Sequence, residues 1–219
     1  DLAGSFFDGA NGADIGAGTG KAARAMLARG AAVVAADHGQ QMLAVLRARS
    51  PEVPVLLADA NALPFADATF DLVTFAQSWH WVDLDRAPRE VARVVRPGGA
   101  AALWWNVSDP GSEQWLLEHR TLLQALSTNE VGAQFDLMWE AIPSSFAYCD
   151  VETTQIRWSR RVSREVILDE MRSKSYVAAL GEAGVGELVD RECQLLPDGE
   201  LRESFVTRLA VVRFAAPNS

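Results

Sequence analysis

Basic charge is scarce in this chain. Lys and Arg total 20 against 29 Asp and Glu, giving a net charge of −9 and a pI near 4.8. Nucleic-acid binding usually calls for a basic face, so this balance argues against a nucleic-acid partner. The densest basic cluster, Arg160, Arg161 and Arg164, reads as a solvated strand end. Cysteine is scarcer still: Cys149 and Cys193 stand far apart with no CxxC pair, which gives neither a metal site nor a disulfide framework. The histidines His38, His80 and His119 are scattered, so no metal is expected. A run of about 18 apolar residues, as a membrane span needs, is missing. So is a signal-peptide pattern. The expectation is a cytoplasmic protein with no membrane partner.

What is present is ordinary globular material. The 219 residues are 49% hydrophobic and 22% charged, enough for one sizeable α/β domain with a full core. Arginine far outnumbers lysine and alanine is abundant, which says nothing about mechanism.

One segment carries chemistry. Asp14-Ile15-Gly16-Ala17-Gly18-Thr19-Gly20 is followed, after a helix pattern from Lys21 to Arg29 and the apolar run Ala31–Ala36, by Asp37. A strand end, a glycine turn, a helix, a second strand and a carboxylate form the arrangement with which α/β proteins hold a nucleoside. The glycines allow a sharp turn and close approach of a ligand. The first helical N–H groups are expected to point at whatever fills the turn. A dinucleotide fingerprint would have its third glycine one residue later, where Lys21 stands, and a phosphate loop would need glycine at Ile15 and Ser or Thr at Ala22. Asp14 adds negative charge that suits an ammonium group better than a pyrophosphate. A nucleoside carrying an amino acid fits this description.

Asp14 to Gly20 resembles the first motif of class I S-adenosylmethionine-dependent methyltransferases, and further stretches match in order. His38 to Leu43 resembles the segment after the second strand. Ala58-Asp59-Ala60-Asn61-Ala62-Leu63-Pro64-Phe65 resembles the loop beside adenine. Phe70 to Thr74 resembles the fourth strand, and Arg93 to Gly99 the turn into the fifth. The match covers roughly residues 13 to 106. Ala76-Gln77-Ser78-Trp79-His80-Trp81-Val82-Asp83 narrows it to the small-molecule branch called methyltransferase type 11, and is somewhat similar to trans-aconitate methyltransferases.

The alternation of strands and helices predicts an α/β fold with a parallel, doubly wound sheet. The resemblance completes it to a Rossmann-like seven-stranded sheet, mostly parallel with the last strand antiparallel. One methyltransferase domain over 1–219 is expected, with a cofactor-binding core at 13–106 and C-terminal helices and the last two strands at 107–219. Periodicity places helices at about 21–29, 40–49, 85–95, 112–126, 163–180 and 182–196. Strands are expected at about 31–36, 53–58, 70–76, 100–105, around 154–158 and within 201–214. Met42, Val45 and Leu46 are expected to face inward, and Thr154, Ile156 and Trp158 to form a buried strand face. Pro54 suits an edge strand. Asp8 to Ile15 makes a poor central strand. The expectation is that residues are missing before Asp14, and again near 127–135, so that the sequence joins pieces that are not covalent neighbours; an intact mass equal to 23.8 kDa would contradict this.

For the cofactor, S-adenosyl-L-methionine, the resemblance implies backbone from Gly16, Ala17, Gly18 and Gly20 near the methionyl part, and Asp14 facing the ammonium. It implies Asp37 on the ribose hydroxyls, with His38 beside it. It further implies Met42 on adenine, Asp59 and the Ala60 N–H at the adenine edge, and Gln77 along the methionine side. Methyl transfer from a sulfonium needs alignment and exclusion of water more than acid–base help. His80 is the candidate catalytic residue, as a base or as a hydrogen-bond partner of the acceptor; the alternative is a histidine that packs and orients its loop. Trp79, Trp81, Asn106 and Tyr176 are candidates for the pocket of a small-molecule acceptor, each with a plain packing or turn alternative. A homodimer is permitted and not required. A cofactor-binding protein without catalysis, and a nucleotide-dependent oxidoreductase, are the alternatives.

Overall fold

Just before the glycine loop, Gly12 and Ala13 are too small to fill a core by themselves, yet the strand they belong to is central. The computed structural model describes residues 9–109, 111, 113–126, 130–174, 177 and 179–216. Its strands are β1 (Asn11–Ile15), β2 (Ala32–Asp37), β3 (Val55–Leu57), β4 (Phe70–Ala76), β5 (Val95–Ser108), β6 (Asp150–Val162) and β7 (Leu201–Arg213). They form one sheet in the order β3-β2-β1-β4-β5-β7-β6. β1 to β5 pair in parallel. The Gly98 N–H donates to Phe214 O and the Phe214 N–H to Gly99 O, the exchange expected of antiparallel neighbours, so β7 reverses direction. The doubly wound, mostly parallel sheet with a reversed last strand is the fold the sequence predicts.

The helices are α1 (Lys21–Leu27), α2 (Gln40–Arg49), α3 (Ala87–Val94), α4 (Gln114–Leu126), α5 (Glu130–Ser145), α6 (Arg164–Arg172) and α7 (Gly181–Leu195), with a 3-10 turn at Trp79–Trp81. The chain forms two compact units. One takes Asp1–Trp105, Leu137–Thr154 and Arg208–Ser219, the other Asn106–Asp136 and Gln155–Thr207. The first unit's core joins Ala23 and Met26 of α1 and Leu46 of α2 to Val33, Ala35, Leu72, Ala100 and Val211 of the sheet. In the second, Trp115 and Leu116 pack with Val162, Ile167, Leu196 and Leu201, and Leu122 and Leu123 with Met171, Val177 and Leu188.

Several expectations are corrected. The poor-looking strand before the glycine loop does form, between β2 and β4, with every residue but Asn11 buried. Gly12 suits it because a Cβ there would stand 2.5 Å from Met26 Cε: the missing side chain is filled by α1. In α2 the buried residues are Leu43 and Leu46, while Met42 is 50% and Val45 38% exposed. Leu46 packs down over Gly20, where a Cβ would come within 2.6 Å of it, and that contact fixes the helix's rotation. β3 is the predicted edge strand, shorter than expected because Pro54 lies before it. Its carbonyl still accepts from the Ala35 N–H. β6 closes the other edge, and so Ile156 and Trp158 are exposed instead of buried. Ser163 caps α6 as expected, its Oγ accepting from the Val166 N–H, but the helix stops at Arg172, where Ser173 Oγ donates back to Glu170 O. α5 was not foreseen; of the suspect stretch 127–135, residues 127–129 lie outside the described ones. The basic cluster is a set of ion pairs: Arg160 with Glu170 and Glu203, Arg161 with Glu200, Arg164 with Asp198.

Candidate functional site

Parallel register brings the motif residues to one sheet edge. Ile15 aligns with Ala36, Asp37 with Leu57 and Asp14 with Thr74, so β1 to β4 end together at their carboxyl termini. Open α/β sheets bind ligands at such an edge, where the strand order switches direction.

The glycine loop is tied to β2 by the Gly16 and Ala17 N–H groups, which donate to Ala36 O at 2.8 and 3.1 Å. Gly16, Gly18 and Gly20 have φ of 67°, 55° and 82°, a region that side chains disfavour. At Gly16 the space itself is also taken: a Cβ would meet Ser78 Cβ at 2.4 Å. At Gly18 a Cβ would meet nothing within 4 Å, so the loop has open space beside its middle glycine.

Two carboxylates hold this loop. Asp37, 7% exposed, accepts from the Gly18 N–H through Oδ2 and from the Gly39 N–H through Oδ1, both at 2.7 Å. Asp14 is fully buried: Oδ2 accepts from the Ala23 N–H of α1 and Oδ1 from the Thr74 hydroxyl, each at 2.9 Å. Burial, and after it the Asp37 charge, outweigh these bonds and push the Asp14 pKa up to about 7. Asp14 therefore braces the loop from behind, and one first-turn N–H of α1 is spent on it rather than left for a ligand. Beyond the loop, His38 is exposed, with Nδ1 3.7 Å from Asp37. Met42 is exposed on the first turn of α2. Asp59, exposed, accepts from the Asn61 N–H and side-chain amide, both at 2.9 Å, and Ala60 is half-buried beside it. The loop after β3 is anchored by Arg93, whose guanidinium donates to the carbonyls of Leu63 and Phe65. Gln77 follows β4 with φ 62°, its N–H donating to Trp104 O.

The segment after β4 divides in burial. Trp79 is fully buried against Phe75 and Phe146, as a packing residue. Trp81 is 70% exposed and leans on His80, ring centroids 4.7 Å apart. His80 is 7% exposed, and its Nδ1 accepts from Trp105 Nε1–H at 3.2 Å. Burial lowers its pKa to about 4. Asn106 belongs to the second unit, where Oδ1 accepts from Thr207 Oγ1 at 2.7 Å and Thr207 in turn accepts from the Trp158 indole at 2.8 Å. Tyr176 lies outside the described residues.

Sequence reasoning missed Thr74, Ser78, Arg93 and Trp105. Thr74 had a signal, a lone hydroxyl in an otherwise apolar stretch of β4, which when buried needs a partner. Ser78 donates to Ile15 O at 2.7 Å and fills the space over Gly16; no sequence signal pairs those positions. Clefts of 560 and 330 Å³ lie in the second unit, and no motif residue lines them. Among the described residues no group of three or more His, Cys, Asp or Glu is placed to hold a metal, and no helix is long and apolar enough to cross a membrane.

A methyltransferase-domain family profile matches residues 13–103. An uncharacterized methyltransferase of Mycobacterium tuberculosis is 36% identical over 183 residues, covering 84% of this chain and 72% of the relative. A solved structure from Anaeromyxobacter dehalogenans, assigned as a type II methyltransferase, superposes with a TM-score of 0.66 at 22% identity over 94% of this chain and 90% of that one. The [4+2]-cyclase SpnF shares the fold too, with a TM-score of 0.55 at 20% identity over 95% of this chain and 76% of that one.

Proposed function

Given that the chain belongs to the methyltransferase-domain family, within the class I S-adenosylmethionine-dependent methyltransferases, we propose that it methylates a small-molecule acceptor. The observation that carries the cofactor assignment is the glycine loop held between two carboxylates, with open space beside Gly18.

The residues fit the cofactor. A carboxylate has about four lone-pair sites, so Asp37 keeps acceptor capacity for ribose hydroxyls after binding Gly18 and Gly39. Met42, exposed on α2, would lie on the adenine ring, and Asp59 with the Ala60 N–H would meet the ring edge. Gly16, Ala17, Gly18 and Gly20 would line the methionyl part, with Gln77 at its border, and His38 would lie beside Asp37 at the ribose. Asp14 would act only through the loop it braces, by holding the Ala23 N–H and the Thr74 hydroxyl. S-adenosylmethionine, when bound, supplies a methyl group that an acceptor displaces in line, leaving a neutral thioether. This chain's own work is then to align the acceptor and keep water out. His80 and the exposed face of Trp81 are the side chains proposed to do so. The acidic balance of the chain supports a small acceptor over a nucleic acid.

A second reading is a protein that holds this cofactor or its demethylated product without methyl transfer. It is favoured by the shared fold of SpnF, named as a cyclase. Calorimetric titration with S-adenosylmethionine and with NAD, on wild type and Asp37→Ala, tests the cofactor. Binding of the former alone, weakened at least about tenfold in the variant (about 1.4 kcal/mol), is expected. Failure to bind S-adenosylmethionine would overturn the enzyme reading, and binding without turnover across a panel of hydroxyl, amine and carboxylate acceptors would favour the second one.

A further inference from the structure

We propose that Trp105 is a positioning residue that fixes His80 in the neutral tautomer protonated at Nε2, so that the ring does not act as a base on an acceptor. The acceptor clause rests on the methyl-transfer reading; the tautomer does not.

The argument starts from donor inventory. An indole N–H can only donate. Trp105 Nε1 lies 3.2 Å from His80 Nδ1, so Nδ1 must offer its lone pair. A neutral imidazole has one N–H, and it is therefore on Nε2. Both rings are held in place. Trp105 is 2% exposed at the end of the parallel part of β5 and meets Trp139 edge-to-face at 6.0 Å. His80 is 7% exposed in the 3-10 turn, with Trp81 against it. Protonating Nδ1 would set two N–H groups head to head and bury a charge, which accords with the depressed pKa of this ring.

The assignment narrows the acceptor. A base would have to use Nδ1, which Trp105 occupies. The acceptor's nucleophile must then lose its proton to solvent or carry none to lose.

The test is a long-range proton–nitrogen correlation spectrum of ligand-free protein labelled at histidine nitrogen, followed from about pH 5 to 8. His80→Gln assigns the signal against His38 and His119. The expected result is an Nε2–H pattern that does not change over this range. In Trp105→Phe, which keeps an aromatic ring but no donor, the tautomers should mix, adding an Nδ1–H component to the pattern. A wild-type Nδ1–H pattern, or titration near the usual histidine value, overturns the proposal even if the variant does not fold. An unchanged spectrum in folded Trp105→Phe overturns the role of Trp105. Since no cofactor is present, these results are independent of whether methyl transfer occurs.

Discussion

At the scale of single residues, two buried titratable groups pull stability in opposite directions over the same pH window. Asp14 is more easily protonated in the folded chain than in the unfolded one, its pKa rising from 3.8 to about 7. Its contribution is fully present below about pH 4 and is lost as pH rises towards 7. For His80 the folded pKa falls from 6.5 to about 4. Its neutral form is favoured by folding, so its contribution is present above about pH 6.5 and lost as pH falls towards 4. Between these limits the two slopes oppose each other. In denaturant unfolding across pH 4 to 7, Asp14→Asn should therefore make stability rise more steeply with pH than in wild type. An identical pH profile in the two proteins would mean that Asp14 is ionised throughout.

At the scale of elements, the turn into β5 shows how a glycine sets register. β4 and β5 pair Phe70 with Val95 but Leu72 with Ala100, so extra residues bulge out of β5 between these points. Gly98 has φ 83°, and a Cβ on Gly99 would lie 2.8 Å from the Asp71 carbonyl and 3.0 Å from that of Arg96. Backbone cannot rotate out of the way as a side chain can. Gly99→Ala should cost about 1–3 kcal/mol in unfolding free energy. Gly12→Ala meets only the flexible end of Met26 and should cost less. Equal losses in denaturant melts of the two variants would contradict the bulge as the constraint. The Pro97-Gly98-Gly99 turn was legible in sequence; the bulge was not, because it depends on which residues of β4 lie alongside.

For the molecule as a whole, ligand binding should appear as stability. A ligand at about 100 times its dissociation constant adds about 2.7 kcal/mol to the folded state, which for a chain of this size shifts the melting temperature by about 5–10 °C. S-adenosylmethionine should produce this shift in wild type and much less of it in Asp37→Ala, and NAD should produce none. A shift with NAD alone would return the glycine loop to the dinucleotide class. Thermal melting with each ligand decides between them.

Local pattern was enough to read the order of elements through α3, the glycine loop, Asp37 and the edge position of β3, because turn chemistry and hydrophobic period are written in neighbouring residues. It was enough for the Ser163 cap as well. The failures share one cause. The burial of β1 is supplied by Met26 of α1, the rotation of α2 by Gly20, the exposure of Ile156 and Trp158 by β6 having a neighbour on one side only. The site divides in the same way. The residue types at this sheet edge are read from the sequence, whereas Thr74 on Asp14, Ser78 over Gly16 and Trp105 on His80 join positions 60, 62 and 25 apart. What a side chain does depends on the group opposite it, and only the folded sheet decides which group that is.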